Sequence, residues 1–363
     1  MRAELIAGGI IAVALGAGIV LFAFMGQPSS GESPGAVNML TVEQKALRYQ
    51  KAPELQGIEG YLNTEGKPIT LSELVGKKVV LIDFWTYSCI NCQRTLPYLR
   101  AWYDTYAEQG LEIVGVHTPE FAFEQVPANV SNAVNDFELK YPVVLDNTYS
   151  TWRAYGNNYW PRKYLIDIDG YIVYDHIGEG GYEETEAAIR RALEERALRL
   201  GETLAGMPEA APESVIEVEK GGVQSPEVYF GAMRNEFLGN SADASGEYTV
   251  PATPRLNTLY FGGKWQIESE YAENLASDAR IVFRYNAKNV YFVASAEGPI
   301  TVSIFRDGEL LTTERGADID MNGKTVIQSD RLYHLIGGDD YGEHVLEIRI
   351  EGAGLKAYTF TFG

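Results

Sequence analysis

The sequence of 363 residues is poor in the side chains that bind transition metals or form covalent cross-links. It contains only two cysteines and four histidines, and the histidines are scattered along the chain. No group of cysteine and histidine has the spacing of a zinc site, and two cysteines cannot form the framework of a disulfide-rich protein. The sequence therefore predicts no metal site and no fold that depends on several disulfides.

Basic residues are also scarce, since 30 Lys and Arg stand against 50 Asp and Glu, for a formal net charge of −20. A surface with this excess of negative charge repels phosphate backbones, so we expect no binding to nucleic acid. The composition is otherwise that of a folded protein, with 45% hydrophobic and 22% charged residues. That balance excludes disorder over the whole chain, and the length allows about two domains.

One long segment, residues 5–25, contains no charged residue. As a helix it is long enough to cross a hydrocarbon core of about 30 Å. Arg2 precedes it and no Lys or Arg follows before Lys45, so we expect an uncleaved single-pass anchor with the rest of the chain extracytoplasmic. A cleaved signal peptide is the alternative, although residues 23–25 fit its cleavage site poorly. Either interpretation places the remaining chain where thiols can be oxidised.

Changes in composition divide the chain into two predicted domains, two linkers and the N-terminal segment. The first domain alternates short apolar runs with helical patterns in a βαβ…ββα order, which predicts a mixed central sheet with helices on both faces. The second lacks helical periodicity and has short alternating runs between turns, which predicts an all-β sandwich. The predicted boundaries are 1–25 for the anchor, 26–50 for a linker, 51–200 for the α/β domain, 201–226 for a linker and 227–363 for the sandwich.

The predicted sandwich has its turns at Asp307-Gly308, at Asn322-Gly323 and at residues 337–340 (Gly-Gly-Asp-Asp). Residues 281–285 and 290–293 are expected to be separate short strands between such turns. Its aromatic residues could stack on a sugar ring, but core packing explains them more simply. A bound glycan is therefore the less favoured interpretation of this domain.

The two cysteines form the motif Cys89-Ile90-Asn91-Cys92. The apolar run Val79–Trp85 before it predicts a buried strand, and a helical pattern follows it. At the start of a helix, unpaired N–H groups and the helix dipole favour an anion, so we expect the pKa of the Cys89 thiol to be lowered. Cys92 lies one turn later on the same face, so the pair predicts attack by Cys89 on a target disulfide and resolution by Cys92.

An isolated Cys-x-x-Cys motif has two other interpretations. It could be half of a zinc site, but the sequence offers no second pair of ligands. It could also be a structural disulfide, although closing so short a loop gains little stability. Redox chemistry between a strand and a helix is therefore the favoured interpretation.

The segment from Asp83 to Cys92 (DFWTYSCINC), with Pro97 in the following helix, resembles the active-site segment of the thioredoxin superfamily. Together with residues 115–124 (GVHTPEFAFE) and 159–167 (YWPRKYLID), it is similar to the extracytoplasmic C-terminal region of DipZ-type proteins, which belong to the TlpA-like branch. The resemblance covers about residues 51–199. It extends more loosely over the C-terminal region, where it implies a sandwich of carbohydrate-binding-module shape.

The resemblance implies roles for four further residues. Asp83 matches the buried acid that exchanges a proton near the second cysteine, and a carboxyl group inside an apolar strand should have a raised pKa. Pro161 matches the cis-proline of a loop that faces the dithiol, and the backbone of Trp160 would hold an extended substrate by strand addition. Trp85 is expected to pack beside the dithiol and to border the substrate groove. The chemistry needs no metal and no organic cofactor.

The predicted function is that of a membrane-anchored, extracytoplasmic thiol–disulfide oxidoreductase that acts on exported proteins. TlpA-like relatives favour the direction of reduction. DipZ-type proteins carry a multi-helix electron-conducting membrane domain, whereas this chain has one apolar segment, so a reductant would need a separate membrane partner as electron donor.

Two other functions are weighed against this prediction. One is a scaffold whose sandwich binds glycans or proteins and whose dithiol is vestigial, which the intact cysteine pair with Asp83 argues against. The other is a thiol peroxidase, because Thr86 lies three residues before Cys89 as in peroxiredoxins. Ile82, however, occupies the position where that family has proline.

Overall fold

The computed structural model describes residues 39–204, 206–215, 222–240 and 245–363. The predicted anchor at residues 5–25 lies outside the described residues. Within them, no helix combines the length and the apolar character that a membrane crossing requires. The chain from Met39 to Gly363 belongs to one unit, in which an α/β region precedes a β-rich region.

The α/β region is built on a sheet with the strand order β1-β4-β3-β2-β5-β6. Strands β2, β3 and β4 are parallel, and the others pair antiparallel, which confirms the predicted mixed sheet. Its elements are α1 (Val42–Arg48), β1 (Gly60–Leu62), α2 (Leu71–Leu74), β2 (Val79–Trp85), α3 (Ile90–Tyr106), β3 (Leu111–His117), α4 (Pro127–Asp136), β4 (Val143–Leu145), α5 (Ser150–Ala154), β5 (Arg162–Ile166), β6 (Ile172–Ile177) and α6 (Tyr182–Leu200).

The central strand β2 is buried along its whole length. Successive side chains of a strand point to opposite faces. Val79, Leu81 and Trp85 join a cluster with residues of α3, α4 and α6, whereas Val80, Ile82 and Phe84 join residues of α2 and α5 on the other face. Helices therefore cover both faces, as predicted. By the same alternation, Asp83 lies on the face that α3 covers.

The predicted linker of residues 26–50 contains a helix, because α1 forms near its C-terminal end. Thr41 caps this helix in a reciprocal capping box with Gln44. The buried ammonium of Lys45 lies 2.6 Å from Asp167, 2.7 Å from Asp169 and 2.5 Å from Glu195. Three carboxylates around one cation fix α1 to the α/β region, so ordered structure begins before residue 51. The polar composition of α1 gives no indication of this contact.

The β-rich region contains one hydrogen-bonded sheet with the main order β13-β12-β15-β11-β16-β10-β9-β8. Strand β11 pairs with β16 and also with β9, so the path of pairings closes on itself around an apolar core. The strands are β7 (Val228–Tyr229), β8 (Ser245–Tyr248), β9 (Leu259–Ile267), β10 (Ala272–Asn274), β11 (Ala279–Ser295), β12 (Ile300–Arg306), β13 (Glu309–Leu310), β14 (Lys324–Ile327), β15 (Arg331–Ile350) and β16 (Lys356–Phe362).

The structure corrects two details of the predicted β pattern. Residues 281–285 and 290–293 belong to the single strand β11, and residues 337–340 lie inside β15 rather than in a turn. The pairing of β11 with β15 changes register between Ala287 and Asn289. Such an irregularity disrupts the pairing locally without ending the strands, so Gly337 stands at a change of register within a continuous strand pair. The turns at Asp307-Gly308 and Asn322-Gly323 form as predicted.

Candidate active site

The dithiol lies where β2 ends and α3 begins. Cys89 is the N-cap of α3, and its sulfur accepts a hydrogen bond of 3.3 Å from the backbone N–H of Cys92. The two cysteines are not bonded to each other. Cys89 is partly exposed, whereas Cys92 is 1% exposed. One sulfur can therefore meet a substrate while the other stays behind it.

Cys92 is held as a neutral thiol. Burial raises the pKa of this thiol well above its ordinary value, and the neighbouring Cys89 raises it further. A nearby negative charge on Asp83 acts in the same direction. Cys92 therefore needs a base before it can act as a nucleophile.

Asp83 is buried opposite Lys163, its partner in the pairing of β2 with β5. The two side chains are 1% and 0% exposed. Burial raises the pKa of Asp83 to about 7, and the charge of Lys163 opposes that rise. The Oδ1 atom of Asp83 has no hydrogen-bond partner among the described groups. A carboxyl group with these properties can take or give a proton near neutral pH.

Sequence reasoning missed Lys163. Its ammonium donates a hydrogen bond of 3.3 Å to the backbone oxygen of Gly178, and burial lowers its pKa while Asp83 opposes that shift. A lysine two residues after Pro161 within an apolar strand was the available clue. The residue that it faces depends on the register between two distant strands, which the sequence does not reveal.

The Trp160–Pro161 peptide bond is cis, as the resemblance implied. Strand β5 starts at the next residue, and Arg162 pairs with Phe84 near the end of β2. The cis-proline loop therefore lies at the same edge of the sheet as the dithiol. The indole N–H of Trp160 donates a hydrogen bond of 3.1 Å to the backbone oxygen of Thr118, which fixes the loop against the residue that follows β3.

Trp85 has no exposed surface. Its ring packs edge to face against His117 at 5.2 Å, within the cluster that includes Cys92. Packing beside the dithiol, one part of the prediction for Trp85, fits this position. The other part of the prediction, that Trp85 borders the substrate groove, does not fit this position. A strand residue that is covered on its face cannot contact a protein substrate. Burial lowers the pKa of His117 to about 3, so its imidazole is neutral.

Glu124 holds the loop before Cys89 and was also missed. Its buried carboxyl group accepts hydrogen bonds from the Ser88 hydroxyl at 2.7 Å and the Ser88 N–H at 3.2 Å. It also accepts from the N–H groups of Glu120 at 2.6 Å and Phe121 at 3.0 Å. The residue belongs to the 115–124 segment, but an acidic residue between Phe123 and Gln125 gives no sign in the sequence that it is buried.

The β-rich region packs beside the motif. Ile90, between the two cysteines, is 3% exposed and shares an apolar cluster with Tyr291, Leu332 and Tyr358. The ring of Tyr358 packs edge to face against two rings of the loop that follows β3. Its centroid lies 5.0 Å from that of Phe121 and 4.8 Å from that of Phe123. One side of the dithiol is thus covered by the second region of the same chain.

Each of the two regions matches a known protein family. The family described as Redoxin matches residues 49–193, and the family described as Thioredoxin like C-terminal domain matches residues 225–363. Over 316 residues the chain is 37% identical to protein DipZ of Mycobacterium tuberculosis, which covers 86% of this chain and 43% of that protein. This chain therefore spans less than half the length of that relative.

Two shorter relatives are covered over most of their own length. The thiol-disulfide oxidoreductase YkuV of Bacillus subtilis is 30% identical over 146 residues, which are 40% of this chain and 96% of that protein. The thiol-disulfide oxidoreductase ResA of Bacillus thuringiensis is 36% identical over 127 residues, which are 35% of this chain and 70% of that protein. Both matches have the size of the α/β region alone.

Proposed function

This chain belongs to the thioredoxin-like thiol–disulfide oxidoreductases, and we propose that it reduces disulfides of exported proteins while anchored to a cell membrane. The observation that carries the proposal is the geometry of the cysteine pair at the start of α3. There the partly exposed Cys89 accepts a hydrogen bond from the Cys92 backbone, beside the cis Trp160–Pro161 bond.

In the proposed reaction, the Cys89 thiolate attacks one sulfur of the substrate disulfide, and the other substrate sulfur leaves as a thiolate. Cys92 then gives its proton to Asp83 and attacks the Cys89 sulfur. The second substrate thiolate leaves, and Cys89 and Cys92 remain joined in a disulfide. The substrate gains two electrons, which the dithiol loses, and a separate membrane-bound donor returns two electrons to the protein.

Asp83 is the proposed base for Cys92 because its chemistry fits that step. Its pKa is raised to about 7, so near neutral pH it is present both as carboxylate and as acid. Its charge acts on Cys92, and its Oδ1 atom is without a partner among the described groups. Trp160 and Pro161 are the proposed substrate-binding residues at the adjacent edge.

The proposed location rests on residues 5–25, whose uncharged run fits a single-pass anchor with the catalytic region outside. The relative DipZ contributes a supporting comparison, since it matches both regions of this chain and is longer. We propose that the C-terminal region is a β-sandwich that works together with the dithiol. An alkaline phosphatase fusion after residue 363 tests the topology: activity in intact cells is expected, and its absence would contradict an extracytoplasmic location.

Reduction of insulin disulfides by the full chain in detergent, with dithiothreitol as electron source, tests the activity. We expect the wild-type protein to accelerate insulin precipitation and Cys89→Ser to be inactive. Cys92→Ser is expected to accumulate a mixed disulfide through Cys89, because the resolving sulfur is missing. Equal rates for wild type and Cys89→Ser would refute the proposal and favour a scaffold with a vestigial dithiol.

The reduction potential of the dithiol tests the direction of electron flow. A value near about −270 mV is expected of a reductant, whereas a value near about −120 mV would identify an oxidant. Equilibration of the full chain with glutathione or dithiothreitol buffers, read by thiol alkylation, gives this value directly.

A further inference from the structure

A pocket of about 260 Å³ lies between the cis-proline loop and the β-rich region. Trp160 forms one wall, and the β-rich region supplies the opposite one. Its lining includes Glu120, Tyr149, Trp160, Tyr229, Arg234 and Glu270.

The pocket lies at the dithiol edge of the sheet. Trp160 directly precedes the cis-proline, and its indole is bonded to the backbone oxygen of Thr118. The N–H of Thr118 in turn donates to the backbone oxygen of Trp85, the last residue of β2 before the active-site loop. Trp160 is therefore both a wall of the pocket and the residue whose backbone is proposed to hold the substrate.

We propose that this pocket binds a basic side chain, lysine or arginine, of the polypeptide whose disulfide reacts with Cys89. The β-rich region would thereby take part in selecting the substrate. The inference rests on the proposed function and adds the chemical class of polypeptide that the site prefers.

The charges of the pocket favour a cation. Glu120 and Glu270 bring two carboxylates, and Arg234 brings one guanidinium. The Nη1 atom of Arg234 lies 2.7 Å from Glu120 Oε1, so these two charges are paired. Glu270 accepts a backbone hydrogen bond of 2.9 Å from Ala122, and no basic side chain pairs with it among the described residues. One negative charge of the pocket is thus left for a ligand.

The walls of the pocket suit the stem of a long basic side chain. Arg234 already lies over the ring of Tyr229 at 3.6 Å, which shows that a guanidinium and an aromatic face fit together in this interface. Tyr149 and Trp160 line the pocket as well. Aromatic faces attract cations, and lysine and arginine place methylene groups along apolar surface while their charge reaches a carboxylate. The net charge of −20 also attracts basic polypeptides.

An extended substrate would present every second side chain to the same face of the bound strand. In strand addition, side chains alternate between the two faces, and positions two residues apart are about 7 Å apart along the strand. The residue two positions from the reacting cysteine therefore shares its face and is the one tested.

The test uses reduced full-length protein and short synthetic peptides whose single cysteine is a mixed disulfide with 5-thio-2-nitrobenzoate. The peptides differ only in Lys, Gln or Glu at two positions from the cysteine, in one series before it and in one series after it. Each rate of thionitrobenzoate release is divided by the rate with dithiothreitol, which removes the effect of charge on peptide reactivity. We expect the Lys peptide to react roughly fivefold faster than the Gln peptide in one series, and the Glu peptide to be slowest.

Two substitutions with opposite expected effects test whether the preference for Lys over Gln peptides arises in the pocket. Glu270→Gln keeps an acceptor for the Ala122 N–H but removes the free charge, so the preference for Lys over Gln should disappear. Arg234→Gln removes the positive charge of the pocket, so the preference should increase. Glu268→Gln is the matched control, because this exposed residue lies outside the pocket and its loss changes the net charge equally. It should retain the wild-type preference.

Equal normalised rates for Lys and Gln peptides in both series would overturn the inference, as would an unchanged preference in Glu270→Gln. Either result leaves the dithiol chemistry intact, because the peptides would still be reduced. Failure to reduce any peptide while dithiothreitol does so would instead contradict the proposed function, and the inference would fall with it.

Discussion

The two regions of the chain bury different kinds of side chain. Among the described residues, the buried charged side chains all lie in the α/β region or in α1, which packs on it. The buried polar residues of the β-rich region are neutral. The charged set is Lys45, Asp83, Arg94, Glu124, Asp146, Lys163 and Asp167, and the neutral set is Ser225, Asn274, Ser295, Ser303 and Thr359.

This difference separates an interior that performs chemistry from one that provides shape. A buried charge is costly unless it is paired or hydrogen-bonded. Asp83 and Lys163 face each other near the dithiol, where a shifted pKa is useful. Among the described residues, the aromatic core of the β-rich region buries no charged side chain, and the proposed contribution of that region to function comes from its surface at Tyr229, Arg234 and Glu270.

The largest expected effect is on the β-rich core. Phe360 is 0% exposed and packs against Phe230 at 5.0 Å and Phe292 at 5.1 Å. Phe360→Ala should lower the free energy of unfolding by about 4 kcal/mol, because it removes a large apolar side chain and leaves a cavity. Urea unfolding of this region measures the loss.

The matched control for Phe360 is Thr361→Ala, on the opposite face of the same strand, for which a loss below about 1 kcal/mol is expected. If the regions differ as described, the folded Phe360→Ala protein should still reduce a small disulfide at the wild-type rate. A large loss of that rate would break the separation between chemistry and shape.

The second prediction concerns Asp83 and its pKa of about 7. Below that pH the carboxyl group is protonated and cannot accept the Cys92 proton, so the resolving step should accelerate as pH rises through about 7. Asp83→Asn should slow this step roughly 100-fold and remove the acceleration. Rapid quenching, followed by separation of the mixed disulfide, measures the step. The same pH profile in wild type and Asp83→Asn would exclude Asp83 as the base.

The raised pKa of Asp83 also predicts the direction of its effect on stability. A carboxyl group whose pKa is raised by folding contributes stability that is complete below its ordinary pKa of 3.8. That contribution is lost as pH rises through about 7. The free energy of unfolding of Asp83→Asn should therefore change less with pH over this range than that of the wild-type protein. Unfolding experiments at matched urea concentrations measure both.

Local patterns of the sequence predict much of the α/β region and the sulfur pair of the site. The continuous apolar run at β2 reflects burial on both faces, and the motif after it marks the start of α3. These features depend on neighbouring residues, so periodicity and capping reveal them. The cis bond before Pro161 was implied by the resemblance and has no local pattern of its own.

Contacts between distant residues explain what the sequence does not reveal. Lys163 faces Asp83 only through the register of β5 on β2. Arg234 reaches Glu120 only because two regions pack together. The bulge that joins two predicted strands into β11 is likewise a property of its pairing with β15. Alternation of side chains within one strand carries no information about such partners.

The smallest expected effect tests whether the buried charges of the α/β region act on one another. The charge of Lys163 holds the pKa of Asp83 below the value that burial alone would produce. Lys163→Met keeps the length and apolar stem of the side chain but removes this charge, so the midpoint of the pH profile should move upward by about one unit, equivalent to about 1.4 kcal/mol. The double variant Asp83→Asn/Lys163→Met is the control and should show no midpoint in this range. A downward shift would mean that the ammonium destabilises the Asp83 carboxylate, contrary to the electrostatics of a buried pair with opposite charges, and the contrast between the two interiors would then need another explanation.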